Sequence, residues 1–362
     1  MREKKAGNII TEESPSGKST IKDVARAAGV SISSVSRVLN GYPGVHPSLQ
    51  ARVMRAVTEV NYVPPSSRAR QQLTRSRIIY FILANRNLHI PFHSKILQSV
   101  ETRCAGQDDL LLYRSLRYSP DIPADQLRLS DLLRVGSSRQ ALSLDGLILT
   151  GTTYPNFLAA VRKTSIPFVL LGNNYSGDPL PNDAVYFDGC QGAYEATRYL
   201  LELGHKNILF IGDTSLSWFA ALHAGYCNAM QERGLEPLGQ VNSLSDSFYS
   251  NGYLSVDLMF QQSRQITAIF AAYDEIALGA WKALNDRNIS VPKDMSLIGF
   301  DDEDYAAFTV PPLTTVRIDV EAIGTELASL LYRKLQPLQT SSPSVTLPTM
   351  LVKRGTCWPL PH

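Results

Sequence analysis

The chain has little that would hold it in a membrane or staple it together. No stretch of its 362 residues approaches ~20 consecutive apolar residues, so no membrane-spanning helix is expected. The opening MREKKAGNIITEESPSGKS carries charge but no apolar core of signal-peptide length, so the protein is expected in the cytoplasm. Four cysteines (Cys104, Cys190, Cys227, Cys357) are scattered, with no pair at metal-ligand spacing, and read as isolated thiols. Phosphate-cradling glycine loops and nucleophile elbows are missing as well, which argues against an enzyme and implies neither cofactor nor metal. No leucine heptad follows the body of the chain, so no coiled-coil tail is expected.

What is there is ordinary globular material, 44% hydrophobic and 19% charged, long enough for two or three domains. The net charge of +2 hides an asymmetry. Residues 18–76 hold nine Lys/Arg (Lys18, Lys22, Arg26, Arg37, Arg52, Arg55, Arg68, Arg70, Arg75) against Asp23 and Glu59, a surplus of seven. A basic head on an acidic body suits phosphate binding. A merely solvated helix surface is the other reading. It is disfavoured because the surplus falls on the segment with the next feature.

Residues 20–40, TIKDVARAAGVSISSVSRVLN, read as two short helices around a glycine turn, the layout of a helix-turn-helix that enters the DNA major groove. Thr20 caps the first helix, with Asp23 in its first turn, and Gly29 closes it. Ser31 caps the second, and Asn40-Gly41 ends it. Val24, Ala25, Ala28, Val30, Val35, Val38 and Leu39 have the spacing that lets two helices pack. A third helix is expected from Pro47, with Val53, Ala56, Val57 and Val60 facing the first two. Residues 1–18 are polar and expected to be disordered. Residues 64–76, PPSSRARQQLTRS, read as a linker able to form a short basic helix.

From Arg77 the pattern changes. Buried-strand runs at 78–83, 144–150, 167–172, 208–212, 268–272 and 295–300 alternate with helical stretches, which predicts an α/β body of doubly wound parallel sheet. Six such strands exceed one compact sheet, so two lobes fit the length.

TIKDVARAAGVS, SSVSRVLN, NYVP at 61–64, GFDDEDYAAFTVPPLTTVRID at 299–319 and LVKRGT at 351–356 occur in the order and spacing of the lactose/galactose-repressor (LacI/GalR) family, which the chain resembles over nearly its whole length. The resemblance implies an all-α head at 19–63, a hinge at 64–76 and a periplasmic-binding-protein-like core at 77–362. It places one lobe at about 77–187 and 319–340 and the other at about 188–318 and 341–362. Crossovers are expected near Phe187, Arg317 to Val320, and Gln336 to Ser344. The implied partners are a palindromic double-stranded operator, a small sugar effector and a second copy of the chain, since one head reads half of a two-fold site. No membrane partner is implied. A sugar-binding transport component and a sugar-modifying enzyme are the rival functions. The absent signal peptide and the added basic head weigh against the first, and the absent catalytic motifs against the second.

The resemblance also assigns residues. Its base-reading positions fall on Ile32, Ser33 and Arg37. Arginine chelates guanine O6 and N7, or else merely positions the head on phosphate. Thr20, Ser31, Ser36, Asn40 and His46 suit phosphate oxygens, and Thr20 and Ser31 also suit capping. The family's minor-groove leucine lands on Gln71, and the apolar candidate, Leu73, lies two residues later. In the core, Asp301 follows the strand MSLIGF, and the matching family aspartate accepts hydrogen bonds from sugar hydroxyls. A metal site at the acidic run 301–304 is disfavoured, since adjacent side chains diverge. Tyr273-Asp274 stands where the family often has Asn-Asp. Phe92 and Phe248 or Tyr249 suit stacking on a sugar face, or ordinary packing, and Thr150 adds a hydroxyl. The family's ligand-clamping arginine falls on Leu222, and its loss argues for a neutral sugar or glycoside.

Overall fold

The computed structural model describes residues 19–39, 45–60, 62, 76–127, 144–178, 180–262, 265–336 and 343–360. They fall into two compact units divided at Arg75–Ser76. The expected N-terminal extension, Asn40-Gly41, Gln71 and Leu73 lie outside the described residues.

The first unit has three described helices, α1 (Ile21–Ala28), α2 (Ile32–Leu39) and α3 (Pro47–Glu59). Local chemistry sets their ends. The Asp23 carboxylate accepts from the Thr20 backbone N–H (2.9 Å) and hydroxyl (2.7 Å). Those bonds hold the Asp23 carboxyl below its ordinary value. Gly29 ends α1 at φ 61°, a left-handed conformation that glycine adopts without strain. The Ser31 hydroxyl accepts from the Ser34 N–H (3.1 Å) to start α2. His46 Nδ1 accepts from the Ser48 N–H at the start of α3, and Pro47 stands in its first turn. Val24, Val35 and Val53, one from each helix, are fully buried against one another's cluster. Each such valine contributes about 1.5–3 kcal/mol of apolar burial.

The second unit is a pair of α/β lobes. The sheet of the first lobe runs β11-β5-β4-β3-β1-β2, all parallel, from β1 (Ile78–Ala84), β2 (Leu110–Leu116), β3 (Gly146–Gly151), β4 (Phe168–Leu171), β5 (Ala184–Phe187) and β11 (Val345–Leu347). The sheet of the second is β7-β6-β8-β9, also parallel, from β6 (Ile208–Ile211), β7 (Leu238–Gln240), β8 (Ala268–Ala271) and β9 (Ser296–Ile298). Every residue of β3, β6 and β8 is buried, because helices cover both faces. That is why these strands read as unbroken apolar runs.

The helices that matter for the site are α4 (Pro91–Ala105) after β1, α6 (Gly189–Glu202) after β5, α7 (Ser217–Glu232) after β6, α8 (Phe248–Gln261) before β8 and α9 (Asp274–Asn285) after it. α5 (Pro155–Arg162) and α10 (Val320–Lys334) cover the first sheet. The chain leaves the first lobe after Phe187. It returns along β10 (Thr315–Ile318), which pairs antiparallel with β12 (Thr349–Val352). The third crossing corrects the sequence expectation. Residues 345–347 pair with β5 in the first sheet, so the chain crosses at Pro348 and not near 336–344, and the second lobe does not resume at 341. The three-residue strand β11 carries no apolar signal, as Val345 and Leu347 are only half-buried and Thr346 is exposed.

Candidate functional sites: an exposed helix face and an interlobe cleft

In the head, apolar packing turns Val35 and Val38 inward and leaves Ile32, Ser33 and Arg37 exposed on α2. Ile32 is 45% exposed, which is unusual for isoleucine and marks a face available to a partner. Arg37 has no hydrogen-bond or ion-pair partner among the described residues. Thr20, Ser31 and His46 are also exposed and all three stand at helix starts, so their oxygens and nitrogen are organised before any partner arrives. Ser36 is half-buried. The Ser33 hydroxyl lies 2.8 Å from that of Ser31.

In the core, the C-terminal ends of strands from both lobes converge on a partly open cavity between the lobes. Open parallel sheets bind ligands at such ends. Arg86 comes from the end of β1, Phe92 and His93 from the start of α4, and Asn174 and Phe187 from the ends of β4 and β5. Trp218, Phe219, Phe248, Tyr273 and Asp301 face them from the second lobe. The aromatics brace one another edge to face. Ring centroids lie 6.2 Å apart for Phe92–Phe187, 5.7 Å for Phe219–Phe248 and 5.2 Å for Phe248–Tyr273.

Asp301 sits on a backbone of φ 104°, a conformation L side chains rarely adopt. Such strain collects where a side chain must be aimed at a site. Burial, with the charges of Asp274 and Glu303 behind it, raises its carboxyl well above the ordinary range. The acidic run does not converge. Asp302 pairs with Arg317 (2.7 Å) and Arg354 (2.6 Å), while Glu303 accepts from the Tyr273 hydroxyl (3.2 Å) and Asp304 pairs with Lys95 (2.8 Å).

The structure therefore brings together Asp301, Tyr273, Phe92 and Phe248. Two expected residues lie elsewhere. Asp274 is fully buried, accepting from the Thr315 hydroxyl (2.6 Å) and the Glu303 N–H (2.8 Å), so it braces the loop that carries Asp301 instead of lining the cavity. Thr150 is fully buried within β3 and donates to the Ile82 carbonyl (3.1 Å). Leu222 is buried packing, and Tyr249 points outward at 38% exposure. The polar lining groups Arg86, His93 and Asn174 and the aromatics Phe187, Trp218 and Phe219 were missed. Arg86 follows the end of β1 as Asp301 follows the end of β9, so the same strand-end rule finds it.

Comparison with known proteins decides what these two sites belong to. Residues 20–65 match the model of bacterial regulatory proteins of the lacI family, and residues 197–357 match that of a periplasmic binding protein-like domain. The transcriptional regulator DegA of Bacillus subtilis is 32% identical over 350 residues, covering 95% of this chain and 99% of its own. The chain belongs to the lacI family. It is a helix-turn-helix transcriptional regulator, as its relatives are, and those relatives are not enzymes. The transcriptional repressor CytR of Escherichia coli (strain K12) is 29% identical, covering 94% of this chain and 97% of its own. The structure of the lac repressor dimer bound to operator and the anti-inducer ONPF superimposes with a TM-score of 0.68 at 26% identity, covering 94% of this chain and all of that one. The lacI-family head and core are thus the two units described above. Among the described residues, no helix is long and apolar enough to cross a membrane.

Proposed function

We propose that this regulator is a cytoplasmic repressor of carbohydrate-utilisation genes, released from a palindromic operator when a small sugar or glycoside fills the interlobe cavity. The carrying observation is the exposed face of α2, where packing alone leaves Ile32, Ser33 and Arg37 outward next to pre-organised caps. Arg37 reads a guanine edge, Ser33 and Ile32 adjust the fit, and Thr20, Ser31, Ser36, Asn40 and His46 meet phosphates. The head spans 19–63, the hinge 64–76 and the effector core 77–362. Leu73 of the hinge wedges into the minor groove and bends the operator.

In the core, Asp301 accepts from the ligand's hydroxyls while Phe92, Phe248 and Tyr273 cover its apolar faces. Asp274 braces the loop that carries Asp301 from behind. Two heads are needed for a two-fold operator. The loop with Phe308 (82% exposed) and Val310 (90% exposed) offers apolar surface that a second copy covers. Fluorescence anisotropy on labelled operator, with a carbohydrate panel added, tests this reading. Tight, salt-sensitive binding reversed by one sugar supports it. Operator binding that no cleft variant and no sugar alters would overturn the effector half.

A further inference from the structure

Arg86 is a cation that the fold leaves without a counter-charge. It is half-buried on the cavity wall, and burial pushes its guanidinium below its ordinary value. Its Nε donates to the Thr152 hydroxyl (3.1 Å), and the guanidinium lies 4.8 Å from the ring centroid of Trp218, across the cleft on the other lobe. No aspartate or glutamate pairs with it among the described residues. The other charge close by is a second cation, Arg117, which donates to the Arg86 carbonyl (2.6 Å). Its neighbour His93 is also unsatisfied. That ring is 3% exposed, its Nδ1 has no partner, and it lines the same cavity.

A guanidinium withdrawn from water without a carboxylate costs stability unless something else brings the negative charge. Uncharged sugar hydroxyls do not. We propose that the effector carries an anionic group, a carboxylate or phosphate, which docks on Arg86 and His93 while its hydroxyls reach Asp301. The ligand class is an acidic sugar, such as a uronate, aldonate or sugar phosphate. This deepens the reading of the cleft as the effector site and rests on it. It also replaces the expectation of a neutral ligand: the charge missing at Leu222 is supplied from the opposite lobe. Arginine suits both anions through its paired N–H donors. Docking there draws on the interlobe Arg86–Trp218 contact, so charge recognition and lobe geometry are linked.

The test is calorimetry of the full-length protein with D-glucuronate, D-galacturonate, D-gluconate and glucose 6-phosphate, each against glucose or galactose. Wild type, Arg86→Gln, Arg86→Lys and Asp301→Asn are compared. An acidic sugar is expected to bind, its uncharged parent much more weakly, and Arg86→Gln to weaken the acid about 10- to 100-fold. Arg86→Lys, which keeps charge but not the fork, should fall between. Binding by uronate or gluconate alone assigns a carboxylate, and by glucose 6-phosphate alone a phosphate. If glucose or galactose binds as well as its acid, with Arg86→Gln unchanged and Asp301→Asn weakened, the anion proposal fails and the cleft stands. If acids bind and neither variant matters, the cleft reading itself fails.

Discussion

Lys95 and Asp304 pair across the cleft at 2.8 Å, joining helix α4 of the first lobe to the loop after β9 of the second. Beside them Glu303 takes the Tyr273 hydroxyl at 3.2 Å and lies 3.7 Å from the same ammonium. A ligand that touches Tyr273 is therefore one hydrogen bond from the ion pair that spans the lobes. Asp304 is largely exposed, so the pair is worth at most about 1 kcal/mol. Lys95→Ala should weaken effector binding by a few-fold and leave operator binding without effector unchanged. Calorimetry and anisotropy on the same preparation check both halves.

Asp274 governs a pH dependence of stability. Burial raises its carboxyl to about 7, only partly offset by bonds from Thr315 and Glu303. Unfolded, it titrates near 4. Between those values the unfolded chain gives up a proton that the folded chain keeps, so stability falls as pH rises from about 4 to about 7. Asp301 and Glu303 are shifted upward too and act in the same sense. Asp274→Asn should flatten the slope of urea-unfolding free energy against pH in that window. An unchanged slope would assign it to the other two carboxylates.

Dimer formation is tested at the exposed loop. Phe308→Asp with Val310→Asp should shift the sedimentation coefficient to that of a monomer and weaken operator binding steeply. Effector affinity should persist, since neither residue lines the interlobe cavity.

The hinge has its own test. Leu73→Ala should reduce operator bending, measured by permuted-site gel mobility, while Gln71→Ala should do little. The reverse pattern would restore the family register and move the wedge to residue 71.

The sequence made the head legible almost residue by residue, because its caps and its spacing are local. Thr20–Asp23, Gly29, Ser31 and Pro47 each mark a helix end through neighbours within three positions. The buried strands were legible for the same reason. β2 was not, because it is an edge strand whose short apolar run, Leu110 to Tyr113, stays largely unburied, with Leu110 52% and Tyr113 41% exposed. In the cleft, Asp301 was legible from its strand end. Arg86 lies within reach of the same strand-end rule, but the tryptophan 132 positions later that lies over it is visible only in the fold. Asp274 misled because a carboxylate beside a ligand residue and one beneath it look alike in sequence. Its full burial and the bonds it accepts from Thr315 and Glu303 tell them apart.

The claim that α2 reads DNA bears the most weight, and Arg37 tests it most directly. Anisotropy titrations over a salt series should compare wild type and Arg37→Ala on cognate operator and on a scrambled duplex. The account predicts a loss of about 1–3 kcal/mol on the operator, little loss on scrambled DNA, and flattened discrimination at one symmetric base pair. Equal losses on both duplexes would reduce Arg37 to a phosphate contact and contradict the reading.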